Sequence, residues 1–144
     1  MTTLEQHIVF RVKDEVYALN IMHIQEIIKM KEICETPNSS RNYLKGVINV
    51  RGNIIPVISL SERFGYVQQE PSRTTRIIIT KVQDQFVGII VDEIIKVEKL
   101  ENNPLPETVN EKIRATSKAI SYMGNTIIPV LDIHHVLEIG SENK

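Results

Sequence analysis

Hydrophobic residues along this chain fall mostly into short runs that are rich in Ile and Val and bounded by Gly, Asn, Asp or Lys. Runs of this length and composition are typical of β-strands, whereas a helix would show a repeat of three to four positions over a longer stretch. The clearest runs are HIVFRV, VYALNI, GVINV, NIIPVISL, RIIITKV, FVGIIV and NTIIPVLDI. Many short strands with few helices predict a mostly β protein built from small barrels.

The chain contains an internal repeat. A strand pair, the tetrapeptide EIIK and the run IIPV occur in this order near the start, and similar pieces occur in the same order later. The matching pieces are 8–21 with 77–90, 26–29 with 93–96, and Ile54–Val57 with Ile127–Val130. Because the order is kept, duplication is a better explanation than chance similarity between short β-like runs.

The repeat divides the chain into two halves, at about 7–66 and 77–140, joined by a polar linker at 67–76 that contains Pro and Ser. Each half is too small to bury a comfortable core alone. We therefore expect each half to form a small barrel and the two barrels to share an interface within a single domain spanning 1–144. Asp14 and Asp84 each separate two strand-like runs, and Asp tolerates turn geometry, so each half should open with a hairpin.

Three stretches have helical features. Ser59–Phe64 and His134–Ile139 each follow an IIPV strand and each stop at a glycine, which is a common helix C-terminus. The isoleucines within 21–28 also fit helical spacing, although a strand is possible there. Pro56 and Pro129 lie inside strand-like runs and lack an amide hydrogen, so we expect each at a sheet edge or a bulge.

Charge and cysteine content narrow the class of protein. The chain has 144 residues with 17 Lys and Arg against 18 Asp and Glu, whereas dedicated nucleic-acid binders usually carry a basic excess. Cys34 is the single cysteine, which fits a reducing compartment. The N-terminal segment lacks the apolar core of a secretory signal, and no apolar run approaches the roughly 20 residues that span a bilayer. These features predict a cytoplasmic location.

The sequence offers no convincing catalytic or metal-binding pattern. Cys34 has Glu32 and Glu35 nearby, and negative charge disfavours the reactive thiolate. His134 and His135 are adjacent, so their side chains diverge and cannot form the i, i+4 pair of a zinc-binding helix. No glycine-rich phosphate loop is present. We therefore predict no catalytic residues, no metal and no cofactor.

The densest stretch of unusual positions is 43–53. If it forms a strand, Asn49 and Arg51 share one face, while Ile48 and Val50 share the other. The apolar face would be buried and the polar face exposed. The planar fork of Arg51 suits recognition of a partner, but an ordinary surface arginine at a turn explains the pattern equally well.

Residues 43–65, YLKGVINVRGNIIPVISLSERFG, are similar to the signature of the CheW family, the adaptor proteins of bacterial chemotaxis. IVFRVKDEVYALNIMHIQEIIK resembles the opening strands of that family, RIIITKVQDQFVGIIVDEIIKV its middle segment and GNTIIPVLDIHHVL its close. The resemblance covers about 7–139. The KGVINVRG stretch is the specific part, and the remaining segments are supportive.

The resemblance implies a fold of two small five-stranded SH3-like β-barrels packed together, with short helices that include one near the C-terminus. It also implies a non-enzymatic scaffold in the cytoplasm, recruited to membrane-associated receptor arrays. Its partners would be methyl-accepting chemoreceptors, through their cytoplasmic tips, and the regulatory domain of a CheA-type histidine kinase. That kinase domain has the same fold and would pack barrel to barrel with the adaptor.

The resemblance further implies which residues make these contacts. The positions that match the family's receptor contact are Ile24, Glu26, Lys45, Gly46 and Arg51. For the kinase contact, we expect exposed positions of the first IIPV strand, and Ile55 and Val57 are the candidates.

The sequence departs from the family pattern in one informative place. An acidic residue usually follows the PV-hydrophobic triplet, but the first half has Ser59 there, while the second half keeps Asp132. Three other functions remain open from sequence. They are an adaptor in a different kinase pathway, such as surface motility or development, a β-barrel that binds a ligand or nucleic acid, and an enzyme using Cys34 or His134.

Overall fold

The computed structural model describes residues 4–36 and 43–137 of the chain. Regular structure there consists of ten β-strands, three short α-helices and one 3-10 turn at Ile21–His23. The strands are β1 Leu4–Val12, β2 Glu15–Asn20, β3 Ile24–Lys29, β4 Leu44–Val50, β5 Asn53–Ser59, β6 Arg76–Val82, β7 Gln85–Val91, β8 Glu93–Glu101, β9 Ser117–Met123 and β10 Thr126–Leu131. The helices are α1 Leu60–Arg63, α2 Glu111–Thr116 and α3 Ile133–Leu137.

The strands form two five-stranded sheets. The first sheet has the order β8-β1-β2-β10-β9, and the second has the order β3-β6-β7-β5-β4. The predicted fold class, mostly β with five-stranded units and short helices, is confirmed. Both predicted opening hairpins are also present, since β1 pairs with β2 and β6 pairs with β7 in antiparallel register.

Each sheet combines strands from both halves of the sequence repeat. The β1–β2 hairpin of the first half joins β8, β9 and β10, and the β6–β7 hairpin of the second half joins β3, β4 and β5. The prediction that the halves 7–66 and 77–140 each build their own barrel is therefore wrong in its assignment of strands. Equivalent hairpins offer equivalent edges, so sequence similarity alone does not decide which copy a hairpin joins.

Parallel pairing fixes this exchange of hairpins. Val57 of β5 pairs with Gly88 of β7, and Val130 of β10 pairs with Ala18 of β2. A side chain at position 88 would crowd the first of these pairs, because a Cβ on Gly88 would lie 3.2 Å from the side chain of Val57 and 2.9 Å from that of Ile77. Strands that pair in parallel need a long connection between them, and here the connection spans the two halves.

Neither sheet closes into a barrel by a full strand ladder. The edge strands are β3 and β4 in the second sheet and β8 and β9 in the first. In each sheet, a residue that follows one edge strand forms a single isolated β-bridge with the other edge strand. Cys34 bridges Val47 of β4, and Asn103 bridges Ile120 of β9. The two sheets are therefore strongly curled, with a seam between their edge strands. We call the gap between β3 and β4 the second-sheet seam.

Three apolar clusters hold the fold together. The largest lies between the sheets and takes residues from both of them, together with α1 and α3, including Phe10, Tyr17, Phe64 and Val136. The other two lie inside the curl of the second sheet and of the first sheet. Because the central cluster is shared, the two sheets form a single packed body, as the small size of each half predicts.

The helices after the two IIPV strands have equivalent caps. The Ser59 hydroxyl accepts a hydrogen bond of 3.1 Å from the amide of Glu62 at the start of α1. The Asp132 carboxylate accepts one of 2.9 Å from the amide of His134 at the start of α3. Ser59 thus fills the capping role of the acidic residue that the family pattern has. Both helices were predicted, although 138–140 lie outside the described residues.

The structure decides two expectations that the sequence left open. Within 21–28 the strand alternative is correct, because Ile21–His23 is a single 3-10 turn and β3 follows it. Pro56 and Pro129 lie in interior strands rather than at sheet edges, and an irregularity in the pairing closely follows each of them, opposite Val57 and Ile58 on β5 and between Val130 and Leu131 on β10. Parallel pairing of β5 with β7 begins only at Val57. Pro56 therefore needs no amide donor on the side that faces β7. The six-residue helix α2 is too short to leave a periodic signal in the sequence.

Candidate functional site

The turn between β4 and β5 presents the arginine that sequence analysis singled out. Ile48 and Val50 are buried, whereas Asn49 and Arg51 are exposed, as the alternation predicted. Arg51 and Gly52 form a two-residue turn with φ values of 51° and 88°, and such hairpin turns require positive φ. For a non-glycine residue this conformation costs about 1 kcal/mol or more. Arg51 is thus held in a strained position.

Arg51 forms an ion pair with Glu26 across the second-sheet seam. The Arg51 side chain remains 71% exposed, while that of Glu26 is only 28% exposed. The glutamate therefore fixes the position of the guanidinium without covering it. Since a guanidinium has five N–H donors in a planar fork, most of its hydrogen-bonding capacity is left for a partner.

Two further contacts cross the same seam in antiparallel order. Lys31 donates from Nζ to the backbone carbonyl of Asn49. Further along, Cys34 and Val47 exchange two backbone hydrogen bonds of 2.9 Å each. The Arg51–Glu26 ion pair is therefore the outermost of three contacts that join β4 and its following turn to β3 and the segment after it.

Below the ion pair lies a small cleft at the mouth of the curled second sheet. Its rim carries Glu26, Arg51 and Asn53, and its floor is formed by Ile55 and Ile79. Both floor residues are buried and belong to the cluster inside the second sheet. The rim is polar and the floor is part of the core, so the cleft is a shallow surface feature and not an enclosed ligand site.

Lys45 and Gly46 lie at the other end of β4. Lys45 makes a 2.8 Å ion pair with Glu62 of α1, and both side chains are about one-third exposed. Gly46 is buried with a φ of 144°, and a Cβ there would lie 2.2 Å from the carbonyl oxygen of Cys34. The structure thus gives Gly46 a packing role beneath the seam, while Lys45 is a surface residue tied to α1.

Ile24 begins β3 directly after the 3-10 turn and packs, partly buried, against the central cluster. Beside it, Met22 is 81% exposed and Ile21 is 37% exposed. Sequence analysis missed Met22, because periodicity does not show how far a turn projects from the surface. Met22 and Ile21 thus form an exposed apolar turn just before β3, and a register shift between Ile24 and Glu26 places those two residues on opposite faces of the strand.

The prediction that Ile55 and Val57 are exposed is wrong. Ile55 is 3% exposed and Val57 is fully buried, since both point into the cluster inside the second sheet. Side chains alternate along a strand, so the outward position is Ile54, which is 63% exposed. Neither Ile55 nor Val57 can touch a partner directly.

The equivalent strand of the first sheet exposes a similar patch. Ile127, which corresponds to Ile54 in the repeat, is 56% exposed. It pairs directly with Tyr122 of β9, which is 57% exposed. In the second sheet, Ile54 pairs directly with Asn49. The protein therefore has two apolar patches on equivalent hairpins, and the first-sheet patch is the more apolar of the two.

The second copy of the EIIK tetrapeptide makes a different contact. Glu93, the counterpart of Glu26, accepts a 3.1 Å hydrogen bond from Arg11 of the neighbouring strand β1. That contact lies within the first sheet and fastens no hairpin turn. The pairing of a turn arginine with a glutamate on the opposite edge of the sheet is thus specific to the Glu26 copy.

The described residues contain no group of three or more His, Cys, Asp and Glu side chains placed to hold a metal ion. Cys34 is exposed and sits in the seam. No helix in the described ranges has the length and hydrophobicity needed to span a membrane. What this region presents is a charged rim, an exposed apolar turn at Met22 and two exposed hairpin patches, which suit contact with other proteins.

Comparison with known proteins agrees with this character. A sequence profile for the CheW-like domain matches residues 6–140. The chain is 34% identical to the chemotaxis protein CheW of Bacillus subtilis, with 99% of this chain and 92% of that protein covered. It is 32% identical to the chemotaxis protein CheW of Helicobacter pylori, with 92% of this chain and 81% of that protein covered.

A solved structure shares the fold. The crystal structure of the scaffolding protein TtCheW from Thermoanaerobacter tengcongensis superposes with a TM-score of 0.84. The two proteins are 29% identical, and the match covers 97% of this chain and 92% of that one. The chain therefore belongs to the CheW-like domain family and is a non-enzymatic scaffold protein of the chemotaxis type.

Proposed function

We propose that this protein couples the cytoplasmic tips of chemoreceptors to a chemotaxis histidine kinase, as an adaptor recruited to receptor arrays in the cytoplasm. The observation that carries this proposal is the pairing of Arg51 with Glu26. It keeps a charged, strained and exposed group at the rim of the small cleft. A protein that only needed a stable hairpin turn would have Asn or Gly at position 51.

The receptor surface in this proposal runs along the boundary between the two sheets. Ile24 packs against the central cluster from the second sheet. From the first sheet, Val97 of β8 pairs directly with Ile8, a member of the same cluster, and is 51% exposed. Directly paired residues share one face of a sheet, so Val97 flanks the central cluster from the opposite side. In this proposal, the apolar stripe of a receptor helix packs on the surface between them.

On this surface the apolar contacts, including Met22, supply most of the affinity, and charged groups set orientation and specificity. Arg51 and Glu26 supply those charges from the rim of the small cleft in the second sheet. Lys45 and Gly46 contribute differently. Gly46 shapes the seam from beneath, and Lys45 lies near the far end of β4, where a long receptor helix would still reach.

For the kinase we propose the two exposed hairpin patches in place of Ile55 and Val57. The regulatory domain of the kinase is expected to have the same fold as this protein, so its own hairpins offer apolar surfaces of the same shape. Ile54 is our primary contact, because it lies on the first IIPV strand and is 63% exposed. Tyr122 and Ile127 form the second patch, and an adaptor with two such patches can contact two neighbours at once.

The test is calorimetric titration of this protein with the regulatory domain of its kinase and, separately, with a fragment of a receptor tip. The Ile54→Glu variant should lose kinase binding and keep receptor binding. The Arg51→Glu variant should show the reverse. Glu107→Lys, an exposed change in the segment that precedes α2 and away from the residues of both proposed surfaces, serves as the matched control and should alter neither. If the folded wild-type protein binds neither partner, the proposal is wrong.

A further inference from the structure

Three of the four histidines lie around the connection by which the chain passes from the first sheet to the second. His7 is on β1, His23 ends the 3-10 turn and His134 is on α3. The rings of His23 and His134 meet edge to face with centroids 6.4 Å apart. The positive charge of Lys118 on β9 acts on both His7 and His23. The charge of Lys118 thus affects both His7 and His23.

His7 is in a state that resists protonation. Its side chain is fully buried, and Nδ1 lies 2.7 Å from the backbone carbonyl of Glu5. A carbonyl can only accept a hydrogen bond, so Nδ1 carries the hydrogen and Nε2 carries the lone pair. Nε2 is buried and has no hydrogen-bond partner among the described residues. A proton there would create a buried N–H donor with no acceptor.

His7 is also next to the residue that begins the connection. It pairs directly with Asn20, the last residue of β2. Asn20 is itself buried, and its side chain donates a 2.7 Å hydrogen bond to the Glu5 carboxylate. The same side chain accepts a 2.8 Å bond from the amide of Met22 and so caps the 3-10 turn. Asn20 therefore connects His7 to Met22 by direct contacts on both sides.

The charged groups around the pair favour the neutral state overall. Burial lowers the pKa of both His7 and His23, and Lys118 lowers each further. His134 also lowers the pKa of His23. The opposing carboxylates are Glu5 for His7 and Asp132 for His23. On the neighbouring elements, Glu98 of β8 is held by Lys96, and His135 of α3 lies 3.7 Å from the Asp132 carboxylate.

We propose that the connection at Asn20–His23 is a proton-sensitive joint, which loosens when His7 and His23 take up protons and then presents Met22, Ile24 and Glu26 in an altered position. This inference rests on the proposed function for its consequence, because those residues belong to the proposed receptor surface. Acidification of the cytoplasm would then weaken receptor coupling through the adaptor itself. Histidine is suited to such a role, since its ordinary pKa is close to neutral, and the lowered pKa of His7 and His23 moves their response towards more acidic pH.

The experiment has two independent arms. In the first, NMR follows the imidazole signals of the histidines and the backbone amides of Met22 and Ile24 between about pH 8 and about pH 5. The amides of Met22 and Ile24 should shift with the midpoints of His7 and His23. In the second, the affinity for a receptor-tip fragment is measured at both ends of this range. If one of these histidines changes its pKa by one unit on binding, the affinity changes by up to about tenfold across its titration.

Variants separate the joint from a general effect of acid. His23→Gln and His7→Gln should each reduce the amide shifts and flatten the pH dependence of binding, while His135→Gln, on the solvent side of α3, should leave both unchanged. His23 is only partly buried, so its variant should fold even if the His7 variant does not. Amides at Met22 and Ile24 that stay constant while His7 and His23 titrate would overturn the inference. A fragment that fails to bind even at neutral pH would instead refute the proposed function, and the amide titration would still decide the joint.

Discussion

Glu26 and Arg51, 25 positions apart in the sequence, form an ion pair across the seam of the second sheet. Arg51 sits in the tight turn after β4, and Glu26 lies on the opposite edge strand of the same sheet. The contact fixes the orientation of the Arg51 guanidinium, while 71% of the Arg51 side chain stays exposed to solvent. The pair therefore positions a recognition group, and its contribution to folding stability is expected to be small because exposed ion pairs are weak.

Exchanging the two charges separates recognition from stability. Arg51→Glu alone should lower the free energy of unfolding by about 1 kcal/mol or less, since the pair is largely exposed, and should abolish binding of the receptor tip. Adding Glu26→Arg should restore the stability but not the binding, because the cation would then be on the wrong strand. Urea denaturation and calorimetry on the same three proteins give both values. Recovery of binding in the double variant would show that the pair acts only as a structural contact.

Gly46 should be the most sensitive glycine in the chain's described part. Gly46→Ala adds a Cβ that would lie 2.2 Å from the carbonyl oxygen of Cys34, at a φ of 144°. We expect a loss of roughly 2 to 4 kcal/mol in the free energy of unfolding. Gly52→Ala is the matched control, because its φ is also positive but no atom lies within 4 Å of the added Cβ. It should lose only about 1 kcal/mol, and equal losses in the two variants would contradict the crowding beneath the seam.

Neighbouring isoleucines on β5 should behave in opposite ways. Ile54 is 63% exposed and Ile55 is 3% exposed. Ile54→Glu should change the free energy of unfolding by about 0.5 kcal/mol or less and remove binding of the kinase regulatory domain. Ile55→Ala should cost about 2 to 5 kcal/mol, because it opens a cavity in the core. The measurements are chemical denaturation and calorimetry, and kinase binding by a folded Ile54→Glu protein would exclude this patch.

The capping roles of Ser59 and Asp132 are equally testable. Ser59→Ala removes the acceptor for the Glu62 amide, and Asp132→Ala removes the acceptor for the His134 amide. Each should lower the free energy of unfolding by about 1 kcal/mol. Ser61→Ala, a nearby buried serine in α1 whose hydroxyl makes no such cap, is the control. An unchanged denaturation midpoint for Ser59→Ala would show that α1 does not depend on its cap.

Folding stability should fall at acidic pH because of His7. Burial keeps the pKa of His7 in the folded state below its ordinary value of 6.5. Well above pH 6.5, His7 is neutral in both the folded and the unfolded protein, so it adds no pH dependence to the stability. As the pH falls through 6.5, the unfolded state binds the proton first, and the free energy of unfolding decreases until the folded state is protonated as well.

Denaturation of wild type and His7→Gln across this window measures the effect. The variant should show a shallower loss of stability in acid, whatever its stability at neutral pH. His135→Gln should retain the wild-type slope, since that side chain lies on the exposed surface of α3. A His7→Gln protein with the full wild-type slope would assign the acid sensitivity to other groups.

Much of the site could be predicted from residue patterns. Alternation along β4 correctly separated the exposed Asn49 and Arg51 from the buried Ile48 and Val50, because side chains on a strand change face at every residue. The hairpin at Asp14, the helix after Ser59 and the repeat itself also follow from local rules. The resemblance of the segment after the opening strands to the CheW family added Glu26, which no local pattern marks as a partner of Arg51.

The failures have a common cause, which is that local pattern does not define the surroundings of a strand. Ile54 and Ile55 have the same side chain, and only the register of β5 against β4 and β7 decides which one faces the core. Met22 looks like any apolar residue in an apolar stretch until the 3-10 turn projects it outward. Pro56 was expected at an edge or a bulge because it lacks an amide hydrogen. The sequence of β5 alone does not show that parallel pairing with β7 begins only after Pro56.

The sequence by itself determined the strands, their hairpins, the duplication and the chemical character of the Arg51 turn, since these depend on residue type and spacing. Only the tertiary structure decided that each hairpin joins the other half of the repeat, that Glu26 faces Arg51 across the seam and that His7 lies beside Asn20. Those relationships arise from packing between segments far apart in the chain, where two equivalent copies offer nearly equivalent edges. The choice between such edges is made by the sum of all contacts in the folded protein.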